Sequence, residues 1–250
     1  MLLKNVFLQK TGNLNIKKPR HMTKSILRTT FILILLFLSG TGFTQKSPVR
    51  LGLKISPDIA WMNPNEKNYS NNGAAAGIAF GFISDFYFTE HYAFSTGFNF
   101  SFLSGNLQFP YANSPDTGIM KRKYNFRYLE VPLMIKMKTK EFGAFSFFGQ
   151  IGFGTGFNLR TRMNDEFMTN ENKTLSDKSN LSTSETSLVR EAILVGIGSE
   201  YKIDESISLL VSLGYSNSLN NVLQGQNSRD HGLKNRSSLN YVELNIGVLF

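Results

Sequence analysis

The chain has 250 residues, is rich in Phe (22) and Gly (21), carries only 18% charged residues and has no Cys. The lack of cysteine excludes structural disulfides, thiolate metal sites, cysteine nucleophiles and a lipidated N-terminal Cys. The formal charge of +9 would suit nucleic acid, but seven of the 27 basic residues and none of the 18 acidic ones lie in residues 1–45. Residues 46–250 therefore carry 20 basic groups against 18 acidic ones, and no nucleic-acid partner is expected.

Residues 1–45 form a leader with the layout of a secretory signal peptide. Lys24 and Arg28 precede the apolar run Phe31 to Leu38, and Gly42 and Thr44 supply small residues for cleavage near Thr44. The run is shorter than the roughly 20 apolar residues that cross a bilayer as a helix. Met22 opens a signal of ordinary length and is the expected true start, and residues 46–250 form the second, mature domain.

Past Gln45 the apolar residues recur with period two, the pattern of strands with unlike faces. The first strand sets Val49, Leu51, Leu53, Ile55, Ile59 and Trp61 against Arg50, Gly52, Lys54, Ser56, Asp58 and Ala60. Further strands are predicted at about 74–88, 91–104, 122–138, 142–162, 187–203, 206–219 and 241–250, eight in all. Long polar connections (63–72, 105–120, 163–186 and 221–237) alternate with tight turns at Thr89-Glu90, Thr139 to Glu141 and Asp204-Glu205. In an antiparallel meander this puts all long loops at one end and all short turns, with both termini, at the other.

That asymmetry is the layout of an eight-stranded, up-and-down transmembrane β-barrel of the bacterial outer membrane, all-β, with long outer loops and short periplasmic turns. A soluble calyx would write the same alternation, but three features favour the membrane. The polar face is crowded with small residues (Gly77, Ala79, Gly81; Gly152, Gly154, Gly156), while the opposite face carries a dense set of Phe from Phe80 to Phe157. Aromatic residues, among them Phe88, Tyr92, Phe142 and Tyr201, flank the short turns as an interfacial girdle would. The last strand ends with Ile246, Val248 and Phe250 at alternate positions, a pattern that resembles the signal read by the barrel-assembly machinery. A monomer in the outer membrane is expected.

The string Tyr128-Leu129-Glu130-Val131-Pro132-Leu133-Met134-Ile135-Lys136, followed by the Gly-rich run Gly149 to Gly154, resembles the PorT-like outer-membrane β-barrel proteins of the Bacteroidetes over roughly residues 48–250. The resemblance implies this fold and location, and for the namesake group a part in protein secretion and gliding, with secretion-system proteins as partners. The segment before Met22 departs from the short signal usual there.

With the polar parity turned inward, Arg50, Lys54, Lys136, Arg160 and Arg190 face Asp58, Asp85, Glu130, Glu200 and Glu243 across the lumen. An eight-stranded bore is just wide enough for side chains to fill it, and charges there are costly unless paired. The balanced set therefore reads as a network that closes the tube, giving a structural or surface-interaction protein. A narrow ion path or transporter uses the same residues and is the alternative. Glu130 is expected to pair with Arg50 or Arg190, with Pro132 marking a bulge.

Catalytic residues are not evident. Asp230-His231 with Ser228 in the last long loop could serve a loop-borne surface enzyme, but no supporting motif accompanies them and the chain is not expected to be an enzyme. No metal-ligand spacing and no cofactor motif appears. Lys121, Arg122 and Lys123 form a basic cluster at the outer rim that would attract lipopolysaccharide phosphates, so outer-membrane lipid and lipopolysaccharide are expected partners. The acidic stretch 163–186, with Asp165, Glu166, Glu171, Asp177 and Glu185, is expected to be a mobile loop for partner contact.

Overall fold

The computed structural model describes residues 49–113, 116–169, 174–180, 185–228, 232 and 234–250. The chain divides into two units, Met1–Lys46 and Ser47–Phe250, and the described residues all belong to the second. The leader, its expected cleavage point and Met22 lie outside them, as do Asp230, His231 and Glu171.

Among the described residues there are ten strands: β1 (Val49–Pro64), β2 (Ser70–Asn71), β3 (Ala75–Tyr87), β4 (Tyr92–Asn113), β5 (Asp116–Lys138), β6 (Phe145–Thr169), β7 (Thr174–Asn180), β8 (Val189–Lys202), β9 (Ser208–Ser218) and β10 (Ser237–Leu249). Eight of them close a ring in the order β1-β3-β4-β5-β6-β8-β9-β10 and back to β1, every pair antiparallel. Ring neighbours are consecutive in the chain apart from the two short strands, so this is the expected up-and-down barrel. β2 adds to the end of β4, and β7 adds to the end of β6. Closure pairs Ile55 with Ile246 and Asp58 with Glu243. It ends in reciprocal bonds between Leu51 and Phe250, from the Phe250 N–H to the Leu51 oxygen at 2.8 Å and from the Leu51 N–H to the Phe250 oxygen at 3.0 Å.

The alternation fixes which way each side chain points. On β1, Leu53, Ile55 and Ile59 are exposed while Ser56, Asp58 and Ala60 are buried. The outward row continues around the ring through Phe80, Phe98, Leu133, Phe153, Ile197, Leu213 and Ile246, all exposed. A continuous apolar surface of this extent is far larger than a soluble monomer leaves in water and matches a lipid-facing band. On β5 the row runs Leu129, Val131, Leu133, Ile135 and Met137 between the exposed charge of Arg127 and the short turn. That height fits the roughly 9 to 11 residues of a membrane-spanning strand.

The short turns are built from local polar contacts. Thr89 Oγ1 accepts bonds from the backbone N–H groups of His91 and Tyr92, and the Asp204 carboxylate accepts from Ser206 and Ile207 at 2.8 and 2.7 Å. These backbone donors hold the Asp204 carboxyl below its ordinary range. Gly143 takes φ +64° in the turn between β5 and β6, a conformation that favours glycine.

At the other end the structure corrects two expected loops. Residues 105–113 and 116–120 extend β4 and β5 in register from Gly105↔Tyr124 to Asn113↔Asp116, and residues 163–169 extend β6, with β7 paired beside it. The physical reason is parity. Above the lipid band the outward face meets water, so Lys123 and Thr117 are polar there, while Leu107, Phe109, Met120 and Phe167 stay buried inside. Polarity in these segments therefore marks a solvated strand face and not a loop.

Candidate functional site

The barrel interior is stacked in layers, each assembled from alternate residues of several strands. Nearest the short turns, Lys136 on β5 donates from Nζ to Asp85 Oδ2 and Glu200 Oε1, both at 2.6 Å. Glu200 also accepts from Lys138 at 2.6 Å and from Arg50 at 3.0 Å. Arg50 donates further to Ser208 Oγ, Ser95 donates to Asp85, and the Lys136 ammonium lies 4.4 Å from the centre of the Phe148 ring. Lys136, Asp85 and Glu200 are each at most 1% exposed.

The next layer centres on Asn245, whose Oδ1 accepts from Lys54 Nζ at 2.7 Å and Ser56 Oγ at 2.6 Å. Its Nδ2 donates to Glu243, which also lies 3.5 Å from Lys54 Nζ. Above it, Arg190 on β8 donates to Glu130 Oε1 at 3.0 Å, to Ser216 Oγ at 2.7 Å and twice to the Leu239 carbonyl. Glu130 Oε2 accepts from Ser101 and Tyr241. One carboxylate and one guanidinium thereby tie β4, β5, β8, β9 and β10 together across the bore. Asp58, in the same region, is buried and its carboxylate meets no hydrogen-bond donor among the described residues.

Beyond these layers the interior turns apolar. Met62, Leu103, Leu107, Phe109, Val222, Leu223 and Leu239 pack around a stack of Tyr124, Phe126 and Tyr128, with successive ring centres 5.9 and 5.7 Å apart. Over this plug sits a second polar cluster. Arg122 Nε and Nη2 donate to the two oxygens of Asp165 at 2.6 and 2.8 Å. Asn227 donates to the Tyr69 hydroxyl, which donates to Asn235. Burial works against the charge on Arg122, but the hydrogen bonds and charge of Asp165 hold its guanidinium above the ordinary range.

The luminal set read from the sequence is thus brought together with one exception. Arg50, Lys54, Lys136 and Arg190 face inward and are paired, whereas Arg160 points outward and is exposed. The reason is a β-bulge: Arg127 pairs with Arg160 and Tyr128 with Asn158, so Leu159 is an extra residue on β6 and the parity flips after it. Lys138, which the sequence reading missed, is a further inward cation that pairs with Glu200 at 2.6 Å; the parity of β5 carries the signal, because Lys138 follows Lys136 by two. The bulge also corrects the expectation for Pro132, which pairs regularly with Gly154.

The rim cluster is split by the same alternation. Lys123 is exposed and Lys121 half-buried on the outward face, while Arg122 is fully buried inside with Asp165. Asp165 therefore belongs to the seal and not to a mobile loop. Within the segment from Tyr128 to Leu133, Tyr128 and Glu130 point inward, Leu129, Val131 and Leu133 outward. Ile246, Val248 and Phe250 all face outward. His91 lies by a short turn, and among the described residues no group of three His, Cys, Asp or Glu could hold a metal ion.

The outer membrane protein beta-barrel domain family matches residues 43–224. No curated protein matches the chain. Among solved structures, Neisserial surface protein A is 10% identical with a TM-score of 0.45, covering 82% of this chain and 98% of that one. The outer membrane protein OprG from Pseudomonas aeruginosa is 9% identical with a TM-score of 0.43 over 82% and 97%. Ail, the attachment invasion locus protein of Yersinia pestis, is 12% identical with a TM-score of 0.35 over 82% and 100%.

Proposed function

Because the chain belongs to the outer membrane protein beta-barrel domain family, we propose that it is a closed barrel holding a rigid β-platform at the cell surface, with a structural or surface-interaction role and no catalytic step. The carrying observation is the filled bore. Lys136, Arg190, Tyr128, Tyr124 and Arg122 are among its largest fully buried side chains, and they occupy successive levels from the short turns to the far rim. Strands β4, β5 and β6, of 22, 23 and 25 residues, rise well past the lipid band. In the orientation usual for such barrels, long connections outside and short turns in the periplasm, that extension is extracellular. The outward row Ile246, Val248 and Phe250 would meet the assembly machinery during insertion.

The test is single-channel recording of the purified, folded protein in planar bilayers. No steady conductance is expected; a steady large conductance overturns the closed reading and favours a transporter.

A finer reading, a PorT-like member serving protein secretion and gliding in the Bacteroidetes, draws support from the Tyr128 to Leu133 motif and from the place of Glu130, whose carboxylate joins Arg190, Ser101 and Tyr241. In that reading Glu130→Gln impairs secretion while the barrel keeps its heat-modifiable mobility on a gel. In the structural reading the same variant loses stability and has no secretion phenotype of its own.

A further inference from the structure

The lumen ends at the short turns in a layer that holds more cations than acids. Arg50, Lys136 and Lys138 stand there against Asp85 and Glu200. Lys136 takes Asp85 Oδ2 and Glu200 Oε1, so Arg50 and Lys138 are left to share one atom, Glu200 Oε2, at 3.0 and 2.6 Å. Two cations on one carboxylate oxygen repel each other, and that oxygen neutralises only one of them. The unpaired acid Asp58 does not correct the surplus, because it lies eight residues farther along β1 than Arg50, roughly 26 Å of strand.

Both cations face the open end. The side chains of Arg50 and Lys138 are 20% and 14% exposed, whereas those of Lys136, Asp85 and Glu200 are sealed. Each keeps donors in reserve: Arg50 bonds through Nη1 and Nη2 to Glu200 and Ser208, and Lys138 bonds only to Glu200, which leaves the Arg50 Nε–H and two ammonium hydrogens. Tyr87 adds a third donor. It follows Asp85 by two on the inward face of β3, lies within electrostatic reach of Arg50, and its buried hydroxyl has no partner among the described residues. Around this centre the turns carry exposed Glu90, Glu141, Asp204 and Glu205 against Lys140 and Lys202. An acidic rim repels an acidic protein segment and admits a small anion to the cations inside it.

We propose that Arg50, Lys138 and Tyr87 form a binding site for a small oxyanion, a phosphate or carboxylate group, that enters from the short-turn end of the barrel. An oxyanion accepts several charge-assisted hydrogen bonds at once, so one such group engages the spare hydrogens of Arg50 and Lys138, gives the Tyr87 hydroxyl an acceptor and offsets the surplus charge. In the usual orientation of these barrels this end faces the periplasm, and the ligand is then a periplasmic solute. The inference goes beyond the closed-barrel reading and does not need it, since a conducting bore leaves the same groups at the mouth.

An NMR titration of the folded full chain tests the site, in a sugar-headed detergent that carries neither phosphate nor carboxylate. Inorganic phosphate or acetate replaces chloride at a constant ionic strength of about 0.15 M, so that only binding in excess of chloride is read. Saturable shifts of the Arg50, Tyr87 and Lys138 amide signals are expected, and the tighter of the two anions assigns the ligand as phosphate-bearing or carboxylate-bearing. Lys138→Gln and Tyr87→Phe are each expected to weaken the binding roughly ten-fold, through the loss of one hydrogen bond to a charged group. Glu200 keeps Lys136 and Arg50 in the first variant, and the second removes only a hydroxyl, so a failure of one to fold leaves the other to decide. Lys202→Gln, at the same end but paired with Glu141 on the turns, leaves the affinity unchanged. The proposal is overturned if neither anion gives saturable shifts, or if a folded Lys138→Gln or Tyr87→Phe barrel binds as tightly as the natural protein. An equal loss in Lys202→Gln reduces the effect to the overall charge of this end and overturns it as well.

Discussion

The guanidinium of Arg122 and the carboxylate of Asp165 meet through two parallel hydrogen bonds of 2.6 and 2.8 Å, both side chains buried, at the far rim of the barrel above the aromatic plug. Removing either partner takes both of these short bonds from a buried charge, with Arg122 keeping Asn227 at 3.5 Å and Glu185 at 4.0 Å, and a loss of about 3–5 kcal/mol follows. Arg122→Ala and Asp165→Ala are each expected to destabilise the folded barrel by that order in urea unfolding from lipid vesicles. The double variant Arg122→Met, Asp165→Leu is expected to be less destabilised than either single one, since well-packed apolar pairs replace buried ion pairs at little loss. Additive losses in the double variant would mean that the two residues act separately.

Lys136 serves two carboxylates at once, Asp85 and Glu200. Lys136→Met strands Asp85 without a cation, while Glu200 keeps Lys138 and Arg50. A loss of about 3–5 kcal/mol is expected, and adding Asp85→Asn is expected to restore a large part of it, whereas adding Glu200→Gln is not. Equal rescue by both second changes would show that Lys136 does not discriminate between its partners. The readout is again the urea midpoint, with heat-modifiability as the check on folding.

How far the sequence discloses this arrangement depends on how far period two persists. Around Lys54, Asp58, Glu200 and Asn245 the alternation is unbroken, so parity alone sends each inward. At Leu159 one extra residue reverses the parity, and no residue in Asn158-Leu159-Arg160 announces it, because a bulge is fixed by the partner strand's register. That single step makes Arg160 look luminal and Asp165 look solvated. The hairpin at 105–120 was legible for a different reason only in part: its turn-like composition reflects a water-facing strand side, and the inward apolar residues Leu107, Phe109 and Met120 are the signal that identifies it as sheet. Arg122 could have been separated from Lys121 and Lys123 by the same count of two from Glu130.

Depth in the membrane gives a direct measure of which face meets lipid. Ile246 is exposed within the apolar band of β10, and Ser238 lies on the same outward parity near the far rim, opposite Asn63. Ile246→Arg is expected to destabilise by ~2–4 kcal/mol and Ser238→Arg by ~0–1 kcal/mol, following the depth dependence of arginine on barrel surfaces. Unfolding of both variants from vesicles of one lipid composition measures the difference. Equal effects, or a larger effect at Ser238, would place the band elsewhere on the barrel.

Asp58 breaks the pairing rule that its neighbours obey. It faces Glu243 across the β1–β10 ladder, is 5% exposed, and neither of its oxygens meets a donor among the described residues. With Asp58, the two adjoining layers hold Lys54 and Arg190 against Asp58, Glu130 and Glu243, one carboxylate more than their cations. Room for it comes from Gly77, where any Cβ would run into the Asp58 carboxylate and the Phe102 carbonyl. Selection for stability alone would favour an amide here, since Asn keeps the shape, removes the surplus acid and can donate to Glu243. Asp58→Asn is therefore expected to stabilise the barrel by about 1–3 kcal/mol, the usual penalty of a buried unsatisfied polar group. Gly77→Ala is expected to destabilise it through the collision. A stabilised Asp58→Asn barrel that loses a cellular phenotype would make the acid functional, and a destabilised one would mean that the carboxylate has a partner in the membrane-embedded protein.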